Sequence, residues 1–115
     1  MKQSGGCHCG KVRYEVEVDL GKVITCNCSI CTKRGSILGF TPIENFKLLK
    51  GADELTTYTF NKHMIHHKFC KTCGILSFAS GKSPDGKDMA AINVRCLDNI
   101  DIDTLKPHAV NGKDF

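Results

Sequence analysis

Two cysteine pairs lie far apart in the chain, and each is followed by glycine: Cys7-His8-Cys9-Gly10 and Cys70-Lys71-Thr72-Cys73-Gly74. Glycine after the second cysteine permits a tight turn in which backbone N–H groups point at the sulfurs. Two such knuckles can supply four thiolates in a tetrahedron, the closed arrangement of a structural zinc ion. The competing use of Cys70 and Cys73 is a redox dithiol, but no helix pattern follows Cys73 to lower a thiol pKa. A closed zinc site of this kind contributes on the order of 10 kcal/mol of binding free energy to folding.

A third cluster, Cys26-Asn27-Cys28-Ser29-Ile30-Cys31, places three thiols within six residues. Three ligands without an obvious fourth are what a catalytic zinc needs, because one position stays open for water or substrate. Such an ion would bind an incoming thiol and deprotonate it, making a nucleophile at neutral pH. The alternatives are a second structural site closed by Cys96 or a histidine, and three free thiols. His67 could donate a proton, complete a coordination shell, or simply hydrogen-bond a backbone group near the four-cysteine site. Alternation puts it on the opposite strand face from His66. His8, between two ligands, points outward, and His63, His66 and His108 have no evident partner. Cys96 sits in an apolar run, where a buried inert thiol is the default.

Short strands must position these groups. Val12, Tyr14, Val16 and Val18 alternate with Arg13, Glu15 and Glu17, a period of two with one wet face. Further strands are expected at 22–26, 36–40, 46–49, 55–60, 63–69, 75–80 and 89–97, the last apolar enough for a strand buried on both faces. Turns are expected at 19–21, 41–42, 50–53 and 83–86. Helical turns are expected at 29–34, opened by a serine cap, and at 101–105. Ser80-Gly81-Lys82-Ser83 resembles the end of a phosphate loop, but the upstream glycine spacing is wrong and Pro84 blocks a following helix. Asn27-Cys28-Ser29 matches a glycosylation acceptor only by accident if the chain is cytoplasmic.

The length and the many short strands read as one mainly β domain spanning residues 1–115. Of the 115 residues, 41% are hydrophobic and 24% charged, which excludes a disordered tail, a collagen-like repeat and a long coiled coil. No apolar stretch approaches the roughly 18–20 residues of a membrane span. No apolar run follows Lys2, so a secretory signal is not expected and a reducing, cytoplasmic setting is. There, clustered cysteines more often bind metal than form disulfides. The net charge of +4 counts every thiol as neutral. Seven thiolates and two zinc dications would change it by three units, to about +1. With aromatics at 7% and no tryptophan, no base-stacking platform is evident and nucleic acid is not an expected partner.

Gly6-Cys7-His8-Cys9-Gly10, Cys26-Asn27-Cys28-Ser29-Ile30-Cys31, His67-Lys68-Phe69-Cys70-Lys71-Thr72-Cys73-Gly74 and Asn93-Val94-Arg95-Cys96-Leu97-Asp98 occur in that order. Together they resemble the signature of the glutathione-dependent formaldehyde-activating enzyme family, which includes centromere protein V. The resemblance spans residues 5–98. It implies twisted antiparallel sheets with zinc knuckles, a fold called a β-tent. It also implies two zinc ions per chain: a structural one on Cys7, Cys9, Cys70 and Cys73, and a catalytic one on Cys26, Cys28 and Cys31. The implied activity joins glutathione to formaldehyde, giving S-hydroxymethylglutathione, and in reverse is that of a carbon–sulfur lyase. The chain is shorter than the family's named enzyme, with less loop to enclose a tripeptide, and Lys33, Arg34 and Arg95 are the candidate partners for its carboxylates. The competing readings are a non-catalytic zinc module and a thiol redox or metal-buffer protein.

Overall fold

The alternating segment does what a period of two requires. In the computed structural model, which describes residues 2–60 and 62–111, Val12, Tyr14, Val16 and Val18 are buried while Glu17 faces solvent. This segment contains strand β2 (Arg13–Glu17), paired antiparallel with β1 (Lys2–Gly6) on one side and β5 (Phe46–Lys50) on the other. The remaining strands are β3 (Ile24–Cys26), β4 (Leu38–Pro42), β6 (Leu55–Tyr58), β7 (His66–Cys70), β8 (Leu76–Lys82), β9 (Asp88–Asn93) and β10 (His108–Val110). They form a second sheet in the order β10-β3-β4-β9-β8-β7-β6. Its pairs are antiparallel except β10 with β3, which run parallel.

Aromatic side chains staple the sheets together. Tyr14 from β2, Phe46 from β5 and Phe78 from β8 have ring centroids 4.5–5.9 Å apart. Each such pair adds about 0.5–1.5 kcal/mol beyond the area it buries. The buried Tyr14 hydroxyl donates to the Ser77 carbonyl at 3.3 Å, so its polar end is satisfied inside the core. Ile37, Ile92, Val23 and Val94 pack around this cluster. At the β1 edge, Gly5 bridges Leu97, and the Asp98 N–H donates to the Ser4 carbonyl at 2.7 Å.

Several elements differ from expectation. The apolar run 89–97 is not one strand: β9 stops at Asn93, and Val94–Cys96 form a 3-10 turn. The cause is Asn93, whose side chain accepts from the Arg95 N–H and donates to the Leu76 carbonyl. A polar side chain bonding its own backbone redirects a run that hydropathy alone reads as extended. Residues 20–22 likewise turn, with Asp19 accepting from the Gly21 N–H, so the strand begins only at Ile24. Strand β7 starts at His66 rather than at 63, and His63 itself has a left-handed φ of 56°. Pro42 closes β4 instead of lying in a turn. The expected turn at 101–105 is a 3-10 turn over Ile102–Thr104.

Strands β1 and β10 were not expected, because neither carries apolar alternation. The expected helix α1 (Ser29–Arg34) is present, but Cys28, not Ser29, is its flanking N-terminal residue. The turn at 83–86 connects β8 and β9, where Lys82 pairs with Asp88 at 2.8 Å. Ser80-Gly81-Lys82-Ser83 is therefore hairpin. No described helix is long and apolar enough to cross a membrane.

Candidate metal centres

The two knuckles meet. Cys7 and Cys9 lie in the turn after β1, Cys70 ends β7 and Cys73 lies in the turn after it, and the four sulfurs all lie within 4.8 Å of one another. Each knuckle closes the same way: the first cysteine's N–H donates to the carbonyl five residues on, Cys7 to Val12 and Cys70 to Ile75, both at 3.1 Å. Gly10 and Gly74 then take φ of 83° and 79°, a left-handed turn that a side chain would strain. This is the backbone reason for glycine after each pair.

The donor set fits a tetrahedral thiophilic ion. Four sulfurs each about 2.3 Å from one zinc ion stand about 3.8 Å apart. Cys9 Sγ is 3.5 Å from Cys7 Sγ and 3.6 Å from Cys70 Sγ. These are far from the roughly 2.05 Å of a disulfide, and all eight cysteines are free. The Val12 N–H reaches Cys7 Sγ at 3.3 Å. Burial raises the Cys73 thiol, but the N–H groups of Cys9 and Ile75 and the thiols of Cys70 and Cys7 outweigh it, bringing it down to about 6. The Lys11 N–H lowers Cys9, yet lost hydration and three neighbouring thiols carry it up to about 11. Such a cluster gives up its first proton easily and its last only to a cation.

The three-cysteine cluster is local. Strand β3 ends at Cys26, and α1 begins after Cys28 and buries Cys31; the three sulfurs again lie within 4.8 Å of one another. Burial raises Cys28, but N–H groups of Cys31 and Ile30 and the thiols of Cys31 and Cys26 hold it below its ordinary value. Cys31 moves the other way: burial and the Cys28 thiol push it up to about 12, against the opposing charge of Arg34.

Three neighbours shape this cluster. Gly35 ends α1 with φ of 70° and its N–H on the Cys31 carbonyl, which turns Ser36 back over the helix. Arg34 is thereby clamped: Nε donates to Ser36 Oγ at 3.0 Å, Nη2 to Cys31 Sγ at 3.5 Å, and Nη1 meets His67 Nδ1 at 3.3 Å. His67 is buried in β7, on the opposite face from exposed His66 as alternation requires, and stacks on Phe60 with centroids 5.5 Å apart. Burial holds its pKa below the ordinary value, helped by the Arg34 and His66 charges.

A family model described as glutathione-dependent formaldehyde-activating enzyme matches residues 2–111. The chain belongs to that family. A crystal structure of a Rhodobacter sphaeroides protein, a structural genomics target, is similar at a TM-score of 0.83 and 30% identity, covering 93% of this chain and 99% of that one. Membership points to glutathione-dependent formaldehyde activation, and both cysteine clusters could hold metal ions.

Within this family member, neither candidate fourth ligand joins the three-cysteine group among the described residues. Cys96 is not mid-strand but in the 3-10 turn after β9, where its Sγ donates to the Leu76 carbonyl at 3.7 Å. Burial pushes it up to about 11 against a hydrogen bond with Ser77, and Cys7 and Cys73 add to the rise. His67 is one guanidinium away from Cys31. Of the three cations expected to meet carboxylates, Lys33 and Arg95 are exposed, while Arg34 is turned onto Cys31 and His67.

Strand β10 is a site element that sequence reasoning missed. Val110 pairs with Cys26, its carbonyl accepts from the Asn27 N–H at 3.3 Å, and Asn27 Nδ2 donates to Asn111 Oδ1 at 2.8 Å. No apolar alternation marks residues 108–110, and residues 112–115 lie outside the described ones.

Proposed function

We propose that the chain is a zinc enzyme that adds the thiol of glutathione to formaldehyde, giving S-hydroxymethylglutathione, and in the reverse direction acts as a carbon–sulfur lyase. In the forward reaction a sulfur–carbon bond forms, the carbonyl π pair moves to oxygen, and the proton lost by the thiol ends on that oxygen. The observation that carries this reading is that one family member holds both a three-thiol cluster and a four-thiol one. Cys7, Cys9, Cys70 and Cys73 would hold a structural zinc that locks the knuckles. Zinc held by Cys26, Cys28 and Cys31 would supply a Lewis-acidic centre, with a position open to a thiol sulfur, that favours the thiolate at neutral pH.

The chain's own residues supply the frame. Strands β3 and β10 fix Cys26 and Asn27, α1 presents Cys28 and Cys31, and Arg34 with His67 borders Cys31 with hydrogen-bonding groups. The test is elemental zinc per chain before and after dialysis against glutathione, followed by hemithioacetal formation with a metal-free control, since thiols add to formaldehyde unaided. Two zincs, one labile to glutathione, with metal-dependent turnover are expected. Two zincs indifferent to glutathione, without turnover, would instead make the chain a non-catalytic zinc module.

A further inference from the structure

Between the three-cysteine cluster and the aromatic side of β6 and β7 runs a connected row of groups. Arg34 Nη2 lies on Cys31 Sγ, Arg34 Nη1 on His67 Nδ1, the His67 ring on Phe60, and Phe60 on Tyr58. A guanidinium has five N–H donors and no acceptor, and it does not deprotonate in proteins. A ring nitrogen that meets it at hydrogen-bond distance must therefore be the bare one. Neutral imidazole has one bare and one protonated nitrogen, so Arg34 on Nδ1 requires the proton on Nε2.

We propose that Arg34 is a positioning residue for the three-cysteine centre: clamped between Ser36 and Cys31, it holds His67 as the neutral tautomer that offers a hydrogen-bond donor at Nε2. This rests on the reading of that cluster as the working centre. Ser36 fixes the guanidinium through Nε, the Cys31 sulfur fixes its far edge, and Phe60 stacks within 22° of the His67 plane. The ring is thus set both in plane and in tautomer. His67 is only 6% exposed, so little of the ring is open to water. A donor of fixed identity is the form in which a ring can stabilise an oxygen that gains charge as a thiol adds to a carbonyl. Arg34 is accordingly assigned to the protein's own groups and not to a glutathione carboxylate.

The test begins with wild-type protein, unmodified except for nitrogen-15 labelling. Long-range proton–nitrogen spectra of the His67 ring should show a protonated Nε2 and a bare, hydrogen-bonded Nδ1; a protonated Nδ1 would overturn the proposal without touching the proposed activity. Arg34→Gln should mix the tautomers and lower kcat for glutathione and formaldehyde by roughly 10–100-fold, the usual cost of losing such a supporting partner, with KM for glutathione changed little. His67→Gln retains an N–H donor with no tautomer to set, so adding Arg34→Gln to it should cost less than threefold. A full Arg34→Gln effect in that background, or a rise in KM with kcat preserved, would assign Arg34 to substrate binding and reject the positioning role. If wild type shows the stated tautomer but no metal-dependent turnover, the proposed activity fails and the tautomer assignment stands.

Discussion

The two cysteine centres use the same ligand atom in opposite structural roles. The four-cysteine centre is assembled from turns 61 residues apart, one following a strand of the three-stranded sheet and the other a strand of the seven-stranded sheet. An ion there cross-links the sheets at one place while Tyr14, Phe46 and Phe78 do so through the core. The three-cysteine centre is contained in residues 26–31, at the end of one strand and the start of one helix, and ties no sheet to another. The two surroundings also differ. Backbone N–H groups face sulfurs in both centres, and at the three-cysteine one Arg34, with His67 on its other edge, also lies on Cys31. A metal that joins distant chain segments contributes to folding, and one held by a short loop leaves the fold intact when it departs.

That contrast is broken or sharpened first by cysteine substitution. Cys73→Ala should unfold the domain, with loss of strand signal by circular dichroism, since about 10 kcal/mol of metal binding free energy rivals the whole stability of a small domain. Cys28→Ala should lose one metal per chain and keep the fold. Equal unfolding by both would abolish the division.

A smaller effect is expected from ending the chain at residue 105. Without β10, the Cys26 and Asn27 backbone loses its parallel partner, and metal affinity at the three-cysteine centre should fall by roughly tenfold in chelator competition. The four-cysteine centre should hold its metal unchanged, and equal weakening of both would show that β10 supports the fold generally. The smallest effect concerns pH. His67, its pKa lowered first by burial and then by Arg34 and His66, should titrate below the ordinary histidine value of about 6.5. The unfolded chain then binds the extra proton first as pH falls, so the His67 contribution is intact above pH 6.5 and is lost between there and the folded-state pKa. Denaturant melts of wild type and His67→Gln should diverge in that window, and parallel curves would remove the assignment.

Much of this was legible in the residues because it is local chemistry. Glycine after a cysteine pair encodes the left-handed turn, and three thiols in six residues must lie together whatever the fold. The β2 alternation and the 29–34 helix are equally local. What was hidden depends on partners distant in sequence. Nothing in Lys33-Arg34-Gly35 says that the guanidinium will meet a histidine 33 positions away. The apolar segment 89–97 hid a turn because Asn93 bonds its own backbone, and that same turn takes Cys96 out of the strand. Strands β1 and β10 gave no hydropathy signal because edge pairing needs only free backbone groups.

The parallel pairing of β10 with β3 also sets an order of assembly during synthesis. A chain growing from its amino end holds all four knuckle cysteines once residue 73 has emerged, and the strands that pin the second knuckle soon after. The backbone partner of Cys26 arrives only with residues 108–110. The nascent protein therefore acquires its sheet-locking centre first and finishes the support of its other centre last, so a chain released early would be folded yet hold more weakly the metal on which the proposed reaction depends.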